Sequence, residues 1–396
     1  MSIINDAELF VGTLQNDKYL YEDALKLGLV KPMAFYGIPY RLNNLLSNSV
    51  VRYAFIALYP ILFLFLLLYS FIRSVFKHSK CMQLNSGNYF IAATNFSKSI
   101  NNRVNKHIGD ACWILNDGVE VRNYNITSGK YVKCFELVSF IDLVSAACSS
   151  LLVLFLICRK YGAFYITNSL NAYKWLVYWH ACRRVPEEAA IFFVNHKDRW
   201  AFLEDHIHCK SKTLIQHGSE IGNCSDSVAV ARGMIRVPGG WTQDVPYKYR
   251  TLKQVIALSD SEVEALKRSL IDCNTEFIVG GYGFETYDLK SDRYSVLIIA
   301  HSGIYIEKEL QIIEEMQKLP IDIYIKNHPT QRNDAYTCVA ERENIILITE
   351  QRFPHVNLAV AYDSTLAHEY QSVGIPVIYH TKSSVDEIIE LVKKYI

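Results

Sequence analysis

Three polar clusters in the C-terminal half of the chain carry residue types suited to holding an anion. His301-Ser302-Gly303 follows the apolar run that begins at Ser295, and Lys326-Asn327-His328-Pro329 follows the run from Ile321 to Ile325. Asp363-Ser364-Thr365 follows the run from Val356 to Ala361, with Glu369 about one turn into the helix-like segment behind it. Backbone N–H groups at a helix start, flanked by hydroxyls and an imidazole, stabilise a phosphate, with ~0.3–1 kcal/mol for each exposed charge contact. A carboxylate one turn further on can accept hydrogen bonds from ribose hydroxyls. Taken singly, each cluster is also what a helix cap or an ordinary His-Pro turn looks like. Taken together, on strand ends along one edge, they point to a nucleotide, because open parallel sheets bind ligands beyond the carboxyl ends of their strands.

The elements that must position these clusters alternate between short apolar strands and helices, the pattern of a parallel sheet wrapped on both faces. A first series has strands at Tyr89–Ala93, Cys112–Leu115, Ala163–Thr167, Ala190–Val194 and Thr213–Gln216, with helices to Lys106 and over Ala172–Cys182. A second series begins near Phe277 and runs through the three clusters to a last helix, Val385–Tyr395. The breaker-rich stretch RVPGGWTQDVP, residues 236–246, lies between the two series. The expectation is an α/β protein with two Rossmann-like domains facing a cleft, an acceptor domain over 81–255 and a donor domain over 256–396, preceded by a segment 1–80.

Ala54–Ile72 carries no charge across 19 residues, and Arg52, Arg73 and Lys77 flank it. That is about the length needed to cross ~30 Å of hydrocarbon, so a membrane-associated helix is expected at 54–72. The shorter run Val144–Cys158 is expected to be a buried helix of the first domain. Charge excludes another class of partner: 41 basic against 40 acidic residues give a net charge of +1, which offers no bulk attraction for nucleic acid. The N-terminus has no basic start followed by an apolar core, so it does not read as a secretory signal. Ten cysteines without a CxxC pair suit a reducing compartment. His206, His208 and Cys209 lack a second ligand pair at metal-site spacing, so no metal site is expected. Without GxGxxG after a first strand or GxxxxGK[ST] anywhere, dinucleotide oxidoreductases and P-loop enzymes are poorly supported, and no cofactor is expected.

The stretch S-T-L-A-H-E-Y-Q-S-V-G-I-P, from Ser364 to Pro376, resembles the nucleotide-sugar signature of GT-B glycosyltransferases and of the related UDP-N-acetylglucosamine 2-epimerases. KNHP (326–329) with DST (363–365) resembles the His-Pro and Ser/Thr motifs of bacterial sialyl- and Kdo-transferases and teichoic-acid glycerophosphotransferases. LIQHG (214–218) resembles the His-Gly turn of the capsule and teichoic-acid enzymes. The resemblance covers mainly residues 190–396. It implies that His328, Ser364 and Thr365 contact a donor phosphate and Glu369 the ribose, and that His217 is a base or orients the acceptor. The acidic pair before Gly that serves as base in several sialyltransferases is absent, with Ser219-Glu220 near its place.

Sugar transfer needs a group that takes the proton of the attacking hydroxyl, and His217, Glu220 and His196 are the first-domain candidates. Charge growing on the departing nucleotide would meet imidazole, hydroxyl and helix N-terminus without a metal. The expected activity is transfer from a nucleotide-sugar to a lipid-linked or saccharide acceptor in bacterial surface polysaccharide synthesis, such as O-antigen or capsule, at the cytoplasmic face of the inner membrane. A 2-epimerase, a glycerophosphotransferase and a non-enzymatic glycan-binding scaffold are the alternatives.

Overall fold

A computed structural model of the 396-residue chain describes all residues except 1, 27–34, 36–41, 43–44, 79–80, 96–97, 122–125, 127–130, 223–228, 231, 283, 290–292, 301–304, 328–333, 349–352, 363 and 382. The first part contains α1 (Ile3–Lys26), α2 (Ser49–Lys77), β1 (Asn88–Ala92), α3 (Lys98–Ile108), β2 (Cys112–Leu115), β3 (Tyr131–Lys133), α4 (Phe140–Tyr161) and α5 (Ala172–Cys182). It continues with β4 (Ala190–Phe193), α6 (Arg199–Asp205), β5 (Ser211–Ile215), β6 (Ile235–Val237), β7 (Gly240–Thr242), β8 (Gln254–Ala257), α7 (Asp260–Ser269) and β9 (Glu276–Val279). The second part comprises β10 (Tyr287–Asp288), β11 (Tyr294–Ile299), α8 (Ile306–Met316), β12 (Ile321–Lys326), α9 (Asp334–Val339), β13 (Ile345–Ile348), β14 (Pro354–His355), β15 (Leu358–Ala361), α10 (Thr365–Ser372), β16 (Val377–Tyr379) and α11 (Val385–Lys393).

Two sheets organise the chain. The first has seven strands in the order β3-β2-β1-β4-β5-β8-β9, and the second has five in the order β13-β12-β11-β15-β16. All pairings within both are parallel. This is the two-sheet α/β architecture expected. The apolar runs become strands because both faces of each sheet are covered. Tyr89, Ile91, Ile191, Phe193, Leu214 and Val255 enter one core under α1, α2, α4 and α5, and Phe90, Trp113, Ile215 and Ile256 enter another on the opposite face.

The sheets divide later than residue 255. β8 pairs with β5, and β9 pairs with β8 from Gln254↔Glu276 to Ala257↔Val279, so Phe277 ends the first sheet and does not open the second. An edge strand and an opening strand look the same in sequence. RVPGGWTQDVP does not lie between the two sheets, because β6 and β7 form an antiparallel hairpin around Gly239 at φ +91° and the first sheet continues after it with β8 and β9. Ala163–Thr167 is not a strand. Gly162, at φ +83°, ends α4, and Ala163–Asn171 winds as a 3₁₀ segment that buries Tyr165 and Ile166.

The N-terminal helices are integral to the first core. α1 places Phe10 against Trp175 and Asp6 against the Trp179 indole N–H at 3.1 Å. The apolar run lies within the longer helix α2, which buries Tyr59, Phe63 and Leu67, spaced by four, and leaves most other apolar side chains exposed. α4 buries Leu143, Ala146, Val153 and Ile157, while Phe140, Ile141, Leu151 and Phe155 are exposed, so the buried helix expected there is buried along one face.

Candidate functional site

β5 ends in the loop Gln216–Glu220, and one buried carboxylate shapes it. Glu262 sits in the first turn of α7, where Ser259 caps the helix. Its Oε2 accepts from the Gln216 side-chain amide (2.7 Å) and from the Glu220 N–H (2.9 Å), and its Oε1 accepts from the Ser219 hydroxyl. Gln216 in turn accepts from Leu258 N–H at 3.0 Å and donates to Gly218 O at 2.9 Å. A loop carrying this many hydrogen bonds has one shape, and that shape sets His217 beside Val194 and Glu220 beside His196 and Lys197.

His217 is half-buried and donates from Nδ1 to the Val194 carbonyl. A carbonyl can only accept, so Nδ1 carries the proton and Nε2 keeps its lone pair. Burial, and then the neighbouring His196, push the His217 pKa down to about 3, so the ring is neutral at physiological pH. The two imidazoles lie 4.3 Å apart. His196 faces Glu220 (Nε2–Oε1 2.7 Å), and Lys197 pairs with the other oxygen of that carboxylate. Burial alone would raise the Glu220 pKa, but Lys197 and then His196 hold it down at about 2. The result is an ionised carboxylate, 4% exposed, behind a neutral imidazole.

The second sheet meets this loop from across the cleft. Thr365, the first residue of α10, accepts from the Ser219 N–H at 3.3 Å. Gly218 permits the approach, because a Cβ there would stand 3.3 Å from Thr365 Oγ1. The carboxyl edges of the two sheets therefore face each other at this point. Ser364 caps α10, its hydroxyl accepting from Ala367 N–H at 3.2 Å. Glu369 is buried and lies 3.6 Å from Arg103 of α3. Arg103 also donates to the Tyr282 carbonyl (3.2 Å) and to the Gln216 carbonyl, so one guanidinium ties the His-Gly loop to α10. Lys326 lies over the Phe353 ring at 5.6 Å.

The structure thus brings His217, Glu220, Thr365 and Glu369 to one crossing, with Ser364 beside them. His301, Ser302, Gly303, His328 and Pro329 lie outside the described residues. Asp198 and Arg199, adjacent in sequence after β4, do not pair with one another. Asp198 caps α6 by accepting from Trp200 and Ala201, and Arg199 pairs with Asp17 of α1 at 2.9 Å. His206 stacks on Phe202 and bonds its carbonyl at 2.8 Å. Arg103, Glu262 and Lys197 were not singled out from sequence. Each sits in an ordinary polar stretch, and its role depends on partners brought in by the fold.

Thr365→Val tests the crossing directly. It leaves the Ser219 N–H without its acceptor, and a loss of about 0.5–1.5 kcal/mol is expected in denaturant unfolding, with faster amide exchange at Ser219. Unchanged exchange there would remove this contact from the account.

A scan against known protein families finds no match, and a search of curated proteins finds none either. Among solved structures, the chain is similar in course to the wall teichoic acid polymerase TagF, at 10% identity over 74% of this chain and 69% of that one, with a TM-score of 0.38. It is similar to UDP-N-acetylglucosamine 2-epimerase from Rickettsia bellii at 10% identity over 76% and 80%, with a TM-score of 0.37. TarM matches at 10% identity over 78% and 92%, with a TM-score of 0.43. The likeness is one of general chain course.

Proposed function

We propose that the protein is a metal-independent glycosyltransferase that moves a sugar from a nucleotide-sugar donor to a lipid-linked or saccharide acceptor. We place it in bacterial surface polysaccharide synthesis, such as O-antigen or capsule, at the cytoplasmic face of the inner membrane. One observation carries this reading: Ser219 and Thr365 join the carboxyl edges of two parallel sheets, with a neutral imidazole on one side and a helix start on the other.

In this reading the donor diphosphate lies at the α10 start, near Thr365, Ser364 and Lys326, with His328, Pro329 and His301-Ser302-Gly303 from the neighbouring strand ends. Glu369 serves the ribose, turning from or sharing its pairing with Arg103. The acceptor hydroxyl gives its proton to His217 Nε2 as its oxygen bonds the anomeric carbon. The bond from that carbon to the phosphate oxygen breaks, and the nucleotide leaves with the electron pair. Glu220 stabilises the imidazolium that forms, at the range of a charge pair in a dry site.

Incubating the purified protein with a panel of nucleotide-sugars and a lipid-linked acceptor tests this. Sugar appearing on the acceptor is the expected result. Folded protein that neither turns over nor binds any nucleotide would sink it, and conversion of UDP-N-acetylglucosamine alone would favour the epimerase. Thermal-shift measurements against CMP, CDP, UDP and GDP should single out one base. At a hundredfold excess over its dissociation constant that nucleotide adds about 2.7 kcal/mol of apparent stability.

A further inference from the structure

α2 and α4 form an antiparallel pair on the outside of the first domain. Phe71 near the end of α2 packs on Phe140 at the start of α4, with ring centres 6.1 Å apart. In the middle of α2, the Tyr59 hydroxyl donates to the Ile166 carbonyl at 3.0 Å, just beyond the end of α4. Along α2, Phe55, Tyr59, Phe63, Leu67 and Phe71, each four after the last, pack on the protein, joined by Ile56 and Val75. That stripe covers roughly 24 Å of helix at 1.5 Å per residue. The remainder of the circumference is apolar and open to solvent, with Leu58 62%, Phe65 68% and Phe76 86% exposed, and on α4 Ile141 is 78% and Phe155 62% exposed.

Charge shows what covers this face. α2 contains no acidic residue, and α4 contains Asp142 alone, which is taken by Ser139 and Arg184. The antiparallel course gathers Arg52 with Arg159 and Lys160 at one end. At the other end Arg73 and Lys77 share Asp117, at 3.9 and 2.6 Å, and Lys174 Nζ stands 3.5 Å from where a Cβ on Gly118 would lie. An apolar face with cations at both ends is complementary to a bilayer surface carrying phosphates. A second copy fits poorly, because pairing the faces in either direction sets cations against cations.

From these observations we infer that the α2–α4 pair lies flat in one leaflet of an anionic membrane, and that α2 does not cross it. A helix bound to its own domain along the whole stripe from Phe55 to Phe71 cannot pass through the bilayer without drawing that domain into the hydrocarbon. The end with Arg73 and Lys77 is the one nearer the cleft, since Asp117 follows β2 and Phe140 follows β3 at the carboxyl edge of the first sheet. An acceptor held in the membrane then approaches His217 from that side; this last consequence rests on the transfer reading, whereas the docking does not.

Flotation of the full chain with vesicles tests the docking. Binding to vesicles of phosphatidylcholine and phosphatidylglycerol in equal parts is expected, and weaker binding to phosphatidylcholine alone. The triple change Arg52→Gln, Arg159→Gln and Lys160→Gln should reduce partition into the anionic vesicles roughly a hundredfold, at about fivefold per cation. Phe65→Asp should abolish binding to both, with the melting temperature unchanged because that side chain is exposed. For topology, Ser49→Cys and Lys77→Cys at the two ends of α2, with Cys81, Cys148, Cys158, Cys224 and Cys338 replaced by serine, should both react with an impermeant maleimide in inverted inner-membrane vesicles and neither in spheroplasts. Absence of flotation, equal binding to both vesicle types, or an end of α2 reached from the outer face overturns the inference. So does a dimer that protects Phe76→Cys in solution. Partition and labelling are read without turnover, so failure here is distinct from failure of the transferase reading.

Discussion

His217→Ala lowers the rate of sugar transfer by about 10²–10⁴-fold, the usual contribution of a positioned acid or base, while leaving the fold intact. The expectation follows from the hydrogen bond to Val194. With Nδ1–H committed to a carbonyl, Nε2 is left with its lone pair, and a His217 pKa near 3 keeps it unprotonated. Such a ring is a weak base, and the pull of the ionised Glu220 is already part of that low value. Proton transfer therefore comes late, as the attacking hydroxyl turns acidic on bonding to the anomeric carbon. Because His217 remains neutral from pH 5 to 8, the acid limb of a rate profile over that range must come from another group. His217→Gln should be nearly as inactive as alanine, since an amide cannot take the proton. The variants are compared by kcat, by melting temperature and by the profile from pH 5 to 9. If His217→Ala keeps its rate within about tenfold, the base lies elsewhere and the site must be redrawn.

What could be read from the chain and what could not differ in range. The strands were legible as short apolar runs, since burial on both faces requires them. The cap at Ser364 and the His-Gly turn were legible because a helix start and a tight loop use local residue types. The Arg103–Glu369 pair was not, since it joins two sheets across a long stretch of chain and leaves no mark near either residue. Glu262 was missed for the same reason, as a carboxylate in a first helical turn reads as dipole compensation. Ala163–Thr167 was misread as a strand because Phe, Tyr, Ile and Thr favour strands, yet the segment that follows Gly162 winds as a 3₁₀ turn and buries Tyr165 and Ile166. The uncharged run of α2 was legible as a long apolar helix, but its attachment to the domain depended on the 3₁₀ segment beyond α4 that accepts Tyr59.

Glu220→Gln is expected to destabilise the protein by about 3–5 kcal/mol at pH 7, the cost of leaving a buried charge without its partner. The glutamine keeps the shape and can still accept one hydrogen bond, but it cannot balance Lys197 and His196, which both approach the carboxylate. The dependence on pH separates this from a packing defect. The Glu220 pKa is held at about 2 in the folded chain, below the ordinary value of 4.5, so the folded state prefers the ionised form. That contribution is complete above pH ~4.5 and is lost as pH falls through 4.5 towards 2. Wild type should therefore lose stability over that window, and Glu220→Gln, which has no proton to gain there, should lose less. Urea unfolding at pH 7 and again near pH 3 measures the gap, which should be wide at the first and narrower at the second. A gap independent of pH would mean that Glu220 contributes by its shape and not by its charge, and would remove the charged backing for His217 on which the proposed proton transfer depends.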